Sequence, residues 1–269
     1  MTTTVDLARR FAALHTPAAP LALANAWDVL SARLVEAAGA PAVATTSAGV
    51  AWSLGTPDGD ALSRDRALDL IARVAAAVSV PVTADIEGGF GADPAGVAET
   101  VTGVLEAGAV GINIEDGTRA PADHAERVAA ARAAADSAGV PLFVNARIDT
   151  FLFGLGEEAG RLDETLSRAA ACLRAGASGI FVPGVVDPAT VTELVKGIDA
   201  PLNLLAVPGA PPVAELGSLG VARVSLGSGV ASAAYDVVRR AAEELIGGGT
   251  YAALDGGLPY GELNTLLKG

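Results

Sequence analysis

Residues 94–116 read PAGVAETVTGVLEAGAVGINIED, and this stretch holds one full repeat of the pattern that decides the fold. Its first part, Pro94–Ala107, has the composition and apolar spacing typical of an amphipathic helix. Gly108 follows as a candidate left-handed helix cap. The run Ala109–Asp116 is nearly continuous in apolar residues and ends in two acids, as expected of a strand covered on both faces of a parallel sheet.

Strand-like runs of this kind recur eight times, separated by Ala-, Leu- and Arg-rich stretches with helical periodicity. The runs are Leu21–Trp27, Ala42–Ala48, Val80–Ile86, Ala109–Asp116, Leu142–Asp149, Gly179–Val185, Pro201–Val207 and Ala222–Gly227. Eight β-then-α units predict an α/β protein with a (β/α)8 TIM-type barrel. An open doubly wound sheet is the alternative, but no Gly-x-Gly-x-x-Gly fingerprint follows the first strand.

The chain length of 269 residues suits one α/β barrel domain. We predict that this domain spans residues 1–249 and closes at Gly247-Gly248-Gly249. Residues 250–269 are predicted to form a tail that packs on the barrel or on a neighbouring subunit.

The chain carries 18 basic and 31 acidic residues, a formal net charge of −13. This charge repels phosphate backbones and anionic lipids, so nucleic-acid and membrane partners are disfavoured. Cys172 is the single cysteine and no charged-then-apolar leader opens the chain, so the cytoplasm is the expected location. A protein this acidic needs local positive charge to bind an anionic substrate, from a metal, an arginine or oriented backbone N–H groups.

Acidic side chains cluster at the predicted ends of neighbouring strands. Asp85 and Glu87 share one face of the extended chain after the third strand, and Glu115 ends the fourth. Arg147 follows the fifth. Clustered carboxylates are costly unless a cation neutralises them, and oxygen ligands of this kind suit Mg²⁺. The alternative is that these acids cap helices or pair with Arg147.

The second strand ends in the small residues Thr46, Ser47, Ala48 and Gly49. Small residues let backbone N–H groups approach an anion closely, so a substrate carboxylate or oxyanion is predicted there. A tight turn with a Ser cap is the simpler alternative.

Taken together, these segments resemble the isocitrate lyase/phosphoenolpyruvate mutase superfamily. The resemblance rests on an ordered set of motifs over most of residues 20–230. They are Asn25-Ala26-Trp27-Asp28, Thr46-Ser47-Ala48-Gly49, Gly55-Thr56-Pro57-Asp58, Asp85-Ile86-Glu87-Gly88-Gly89-Phe90-Gly91, Ile114-Glu115-Asp116, Asn145-Ala146-Arg147 and Arg223-Val224-Ser225.

The resemblance implies roles for individual residues. Asp85, Glu87 and Glu115 would gather around Mg²⁺, with Mn²⁺ as an alternative and some contacts through water. Arg147, Asp58 and Ser47 would be catalytic: Arg147 stabilises negative charge and Asp58 is a polar or acid–base residue. The implied substrate-binding set is Thr46, Ser47, Ala48, Gly49, Asp85, Asn113, Arg147 and Asn203.

The chain departs from the lyase branch of this superfamily in two places. It lacks the Lys-Lys-Cys-Gly-His type of motif, whose cysteine is the proton donor in lyases, and Cys172 lies in an apolar helical stretch far away. The seventh strand carries the apolar pair Leu204-Leu205 where lyases hold polar groups, which implies a smaller or less charged substrate. His124 is either a mobile acid or, as we expect, part of the exposed first turn of a helix.

These residues predict a Mg²⁺-dependent enzyme that acts on a small 2-oxo or 2-hydroxy carboxylate through an enolate. The first hypothesis is a C–C lyase or decarboxylase with an oxaloacetate-like substrate. The alternative is phosphoenolpyruvate or phosphonopyruvate mutase or hydrolase chemistry, and the short loop after strand four disfavours the mutase. The third is a non-catalytic 2-oxo acid binding protein.

The resemblance also implies a homo-oligomer, a dimer of dimers in which the last barrel helix is exchanged between subunits. We therefore expect Val230–Ile246 and Leu263–Leu267 to be buried between subunits.

Overall fold

The computed structural model describes residues 3–268. Within them, the strands are β1 (Leu21–Leu23), β2 (Asn25–Ala26), β3 (Val43–Thr45), β4 (Val82–Asp85), β5 (Gly111–Glu115), β6 (Phe143–Arg147), β7 (Gly179–Val182), β8 (Leu202–Leu205) and β9 (Arg223–Ser225). The helices are α1 (Thr4–Ala13), α2 (Val29–Ala37), α3 (Ser47–Ser53), α4 (Arg64–Ala77), α5 (Pro94–Glu106), α6 (Pro121–Ser137), α7 (Arg161–Arg174), α8 (Pro188–Gly197), α9 (Val213–Ser218), α10 (Gly229–Gly248) and α11 (Tyr260–Leu266).

The strands form one parallel sheet in the order β1-β9-β8-β7-β6-β5-β4-β3-β2. The two ends of this sheet, β1 and β2, are consecutive in the chain and are separated only by Ala24. β1 pairs with β9, while β2 pairs with β3. The first predicted strand, Leu21–Trp27, is thus divided between two neighbours, and this division closes the barrel. The (β/α)8 prediction is confirmed.

Local sequence signals explain where the helices begin and end. Asp93 caps α5 by accepting a hydrogen bond from the Gly96 N–H at 2.9 Å, and Pro94 occupies the first helical turn. Gly108 follows α5 with φ +92°, the left-handed conformation that an L side chain disfavours. The predicted helix-to-strand turn is therefore present in this unit.

The main hydrophobic core lies between the sheet and the surrounding helices, where Val101, Ile112 and Val144 are fully buried. A second cluster fills the barrel interior near the amino-terminal ends of the strands, with Phe11 from α1 packed against Phe143. Burying a Phe side chain contributes roughly 1.5–3 kcal/mol. α1 therefore covers the amino-terminal end of the barrel, opposite to the carboxyl ends of the strands.

The carboxy-terminal part leaves the barrel wall. α10 is 20 residues long, yet only Ala231 of it is buried. α11 turns back and contacts α2. The division at residue 249 stays a prediction.

Among residues 3–268, no helix is long and apolar enough to cross a membrane.

Candidate active site

A cavity of about 220 Å³ opens at the carboxyl ends of the strands. Its lining comprises Asn25, Thr46, Ser47, Ala48, Asp58, Asp85, Asn113, Arg147, Leu152, Phe181, Pro183, Leu205, Ser225, Gly227 and Ser228. Seven residues of the predicted site are among them: Thr46, Ser47, Ala48, Asp58, Asp85, Asn113 and Arg147. In a parallel α/β barrel this end carries the chemistry, so the cavity is the candidate active site.

Asp85, at the end of β4, presents a carboxylate to this cavity. The Ser47 N–H donates to its Oδ2 at 3.1 Å, and the Asp85 N–H donates to Thr45 Oγ1 at 2.9 Å. Asp58 lines the same cavity, and burial together with the nearby Asp85 charge raises the pKa of Asp58. Two carboxyl groups therefore share one wall, and an uncompensated negative charge there favours a cation.

Glu87 has a strained backbone, with φ +51°. Its Oε2 accepts hydrogen bonds from the N–H groups of Gly59, at 3.0 Å, and of Asp60. Its Oε1 is buried and has no hydrogen-bond partner within the described chain. Burial raises the pKa of Glu87 to about 7, and the neighbouring acids Asp58 and Asp85 act in the same direction. Glu87 lies beside the cavity rather than in its lining.

Glu115 and Arg147 form a largely buried ion pair across β5 and β6, with 2.5 Å between Oε2 and Nη1. Asp149 Oδ1 lies 2.7 Å from Arg147 Nε on the other side. Burial raises the pKa of Glu115 against the opposing charge of Arg147. Burial alone would lower the pKa of Arg147, but the negative charges of Glu115, Asp149 and Asp85 raise it by more. The net pKa lies above its ordinary value, so the guanidinium stays charged. Glu115 therefore pairs with Arg147, which is the alternative that the sequence left open for the clustered acids.

The three predicted metal ligands do not converge on one point. Glu87 faces the Gly59–Asp60 turn and Glu115 faces Arg147, and in residues 3–268 no three His, Cys, Asp or Glu side chains are arranged to hold a metal. Mg²⁺ needs only one or two direct carboxylates and keeps several waters. The exposed edge of Asp85 and the unpartnered Glu87 Oε1 fit such an ion. We expect Asp85 to bind it directly, with Glu87 and Glu115 acting through water.

Two other predicted residues lie outside the cavity lining. A Cβ on Gly49 would come within 2.9 Å of the Trp27 Cβ, so this glycine allows α3 to pack closely. Asn203 is 1% exposed and lies deeper in the barrel, where it donates to Ser225 Oγ at 3.2 Å. Their predicted contacts with substrate stay predictions.

A model of the phosphoenolpyruvate phosphomutase family matches residues 11–246. The chain belongs to this family. The match covers the whole barrel, including every strand whose end lines the cavity. It supports the isocitrate lyase/phosphoenolpyruvate mutase superfamily assignment made from the motifs.

Several relatives in this superfamily are similar along nearly their full length. A lyase/mutase structure from Burkholderia cenocepacia, described as putative, is 38% identical with a TM-score of 0.90, over 99% of this chain and 97% of that one. The 2-methylisocitrate lyase of Escherichia coli is 31% identical over 88% of this chain and 82% of its own. A phosphonopyruvate hydrolase structure with oxalate and Mg²⁺ is 26% identical with a TM-score of 0.83, over 97% and 95%. The family thus includes enzymes that break different bonds.

Sequence reasoning missed several lining residues. Asn25 and Ser225 lie inside motifs that had been recognised, so their position at strand ends was the available signal. Asn25 Oδ1 accepts from the Gly227 N–H at 2.8 Å and so joins β2 to the turn after β9. Leu152, Phe181 and Pro183 form part of an apolar wall, and nothing in their local sequence distinguishes them from core residues.

The expectation that His124 lies in an exposed helical turn is wrong. It lies in the first turns of α6 but is 1% exposed. Burial lowers its pKa to about 4, and the charges of Arg119 and Arg168 add to this effect. A histidine with this pKa is neutral at pH 7 and lacks the imidazolium proton that a general acid would donate. The alternative of a mobile acid therefore has no support in this family member.

The lowered pKa of His124 predicts that the folded protein loses stability in acid. The unfolded state binds the proton near the ordinary pKa of 6.5, whereas the folded state resists it until about 4. The free energy of unfolding should therefore fall by about 3 kcal/mol as pH drops through this interval. His124→Gln should remove that part of the pH dependence. Urea unfolding of both proteins at pH 7 and pH 4.5 measures it, and parallel losses would contradict the assignment.

Cys172 is buried in α7, on the outside of the sheet, and does not line the cavity. Burial raises the pKa of its thiol to about 12, so it is not a thiolate at neutral pH, and its position outside the cavity lining keeps it from donating a proton to substrate. We expect Cys172→Ala to cost on the order of 1 kcal/mol of stability and to leave turnover unchanged. Steady-state kinetics with thermal unfolding checks this, and a 100-fold drop in kcat with an intact fold would refute it.

Proposed function

We propose that the chain is a cytoplasmic, Mg²⁺-dependent enzyme that cleaves a C–C bond in a small 2-oxo or 2-hydroxy carboxylate. The observation that carries the proposal is the pairing of opposite charges across one small cavity. Asp85 and Asp58 offer oxygen ligands, and Arg147 offers a fixed positive charge. An anionic substrate bound through a metal needs oxygen ligands for the metal and a positive charge for its own carboxylate.

The reaction would place negative charge where the site can hold it. In an oxaloacetate-like 2-oxo acid, the C3–C4 bond breaks, CO2 leaves and the electron pair stays with the 2-oxo acid fragment as an enolate, which then takes a proton at C3. In a 2-hydroxy acid, the 2-hydroxyl loses its proton and the C2–C3 bond breaks. C2 then leaves as a 2-oxo acid, and the electron pair stays on C3 of the other fragment as the enolate of its carboxylate. Arg147, held from two sides by Glu115 and Asp149, is preorganised to stabilise that charge. Asp58 is the acid–base candidate because burial raises its pKa. Bound Mg²⁺ would act as a Lewis acid toward the carboxylate and 2-oxo oxygens.

Two observations favour C–C cleavage over mutase chemistry. The segment between Glu115 and Pro121 is only five residues long, too short for the extended loop of mutases. Relatives named oxaloacetate decarboxylase and 2-methylisocitrate lyase support C–C chemistry. A relative named phosphonopyruvate hydrolase, 30% identical, keeps P–C hydrolysis as the second candidate.

A proton NMR screen tests the proposal. Oxaloacetate, methyl-substituted malates, 2-methylisocitrate and phosphonopyruvate are each incubated with the protein, with and without Mg²⁺. Mg²⁺ with the Asp85→Ala protein is the control, because the metal alone polarises 2-oxo acids. We expect Mg²⁺-dependent cleavage of a 2-oxo or 2-hydroxy acid. Turnover of phosphonopyruvate alone would favour the alternative, and binding without turnover would indicate a binding protein.

We also propose that the chain assembles through α10. An apolar groove of about 620 Å³ lies between α2 and α9, lined by side chains of both helices and of β1 and β9. In a barrel this is where the last helix should cover the sheet. α10 instead leaves Val238, Leu245 and Ile246 more than half exposed. The α10 of a second copy is the occupant that fits this groove.

Light scattering should therefore find an oligomer, a dimer of dimers on the family pattern. Val238→Asp should shift it toward smaller species, because a charge would be buried in an apolar contact. Ala133→Asp, on the exposed face of α6, is the matched control and should change nothing. A monodisperse wild-type monomer would refute the assembly.

A further inference from the structure

The middle of the barrel interior is unusually polar. Asn113, Asn145, Asn203 and Arg223 lie there, all at most 6% exposed, and Arg223 is fully buried. TIM barrels usually fill this layer with branched apolar residues. A buried polar network costs stability unless every group is satisfied, and here it is not.

Arg223 is a buried charge without a counter-ion. No carboxylate of residues 3–268 lies within the 4.0 Å ion-pairing distance, and the Nε and Nη1 groups have no hydrogen-bond partner there. Burial lowers its pKa to about 10, partly offset by Asp85, so it stays protonated at neutral pH. At the amino-terminal end of the barrel, α1 and the stacked rings of His15 and Phe143 cover this layer. An unpaired buried charge is destabilising, so its presence calls for a function.

Hydrogen bonding relates this charge to the cavity through Asn113. Arg223 Nη2 lies 3.3 Å from Asn113 Oδ1, and Asn145 Nδ2 donates to the same oxygen at 2.9 Å. A guanidinium has no acceptor atom, so the amide of Asn113 cannot turn its NH₂ toward Arg223. The NH₂ group of Asn113 is therefore free to donate a hydrogen bond into the cavity, which Asn113 lines beside Asp85 and Arg147.

We propose that Arg223 is a positioning residue that orients the Asn113 amide as a hydrogen-bond donor to an oxygen of the bound acid and supplies positive charge beneath it. The inference rests on the proposed function. Asp85 and Asp58 line the same cavity as acids, so an N–H donor on β5 fixes which way an oxyanion enters. The oxygen atoms of the ligand then lie toward β5 and its hydrocarbon part toward Leu205 and Phe181.

Arg223→Met separates this role from a structural one. We expect its Tm to be unchanged or higher, since a buried unpaired charge is removed. We expect its Kd for oxalate, measured by calorimetry with saturating Mg²⁺, to rise at least 10-fold. Arg132→Met is the control, because Arg132 donates to Leu142 O at 2.8 Å far from the cavity. It should lower the Tm and leave oxalate affinity unchanged.

Asn113→Asp keeps the test decisive if Arg223→Met does not fold. It keeps the side-chain size, gives Arg223 a counter-ion and replaces the donor with a carboxylate oxygen. We expect a Tm at or above wild type and a 100-fold or greater rise in the oxalate Kd. Wild-type affinity in either folded variant overturns the role of Arg223. A wild-type protein that does not bind oxalate with Mg²⁺ instead refutes the proposed function.

Discussion

Replacing Asp85 by alanine should abolish Mg²⁺-dependent turnover while the barrel stays folded. Asp85 is the strand-end acid of the predicted metal set that lines the cavity, and its carboxylate accepts hydrogen bonds from the backbone N–H groups of Ser47 and Glu87. Residues at this end of a barrel serve the site more than the core. Loss of a direct ligand should remove several kcal/mol of transition-state stabilisation, so we expect a drop of at least about 100-fold in kcat/KM.

Asp136→Ala is the matched control. Asp136 is an exposed acid on α6, 3.0 Å from Arg132, and exposed ion pairs contribute about 0–1 kcal/mol. This variant should match wild type in kinetics and in Tm. An Asp85→Ala protein with wild-type turnover, or one that no longer unfolds cooperatively, would contradict the role assigned to Asp85.

Replacing Arg147 by alanine should lower both the activity and the stability of the protein. Its guanidinium lies between Glu115 and Asp149, both largely buried. Arg147→Ala leaves two largely buried carboxylates without their cationic partner, and breaking a buried pair in this way costs about 3–5 kcal/mol. The same change should lower kcat by about 100- to 1000-fold, the scale of removing a preorganised charge.

Arg147→Lys distinguishes these two effects. It keeps the positive charge, so we expect most of the stability to return. A lysine cannot hold both carboxylates with a planar fork, so kcat should stay well below wild type. Chemical unfolding and kinetics on both variants measure this. Full activity in Arg147→Lys would show that only charge, not its geometry, matters.

The strand-end rule predicted much of the site from sequence. Asp85, Asn113 and Arg147 reach the cavity from β4, β5 and β6, because side chains toward the carboxyl ends of parallel strands share one edge. Asp58 lies in the loop between α3 and α4, and its place in the site was implied by the family resemblance. The barrel itself followed from the eight repeats. The division of Leu21–Trp27 into β1 and β2 did not, since closure depends on pairing with β9 and β3, which are distant in sequence.

Side-chain direction was harder to predict than position. Glu87 follows the right strand, but its positive φ turns it toward the Gly59 and Asp60 N–H groups of another loop. His124 reads as part of a polar helical turn, yet tertiary packing buries it. The apolar wall of Leu152 and Phe181 has no local signal, because a residue that faces substrate and one that faces the core look alike in sequence. These outcomes depend on contacts between segments rather than on periodicity.

The most direct test of the account is oxalate binding with and without metal. Oxalate carries adjacent carboxylate groups that resemble the enolate of a 2-oxo acid. Calorimetry on wild-type protein, first in excess chelator and then after restoring Mg²⁺, measures whether the cavity binds it through a cation. We expect at least 100-fold tighter binding with Mg²⁺, and loss of that gain in Asp85→Ala. Equal affinity in chelator and in Mg²⁺ would contradict it.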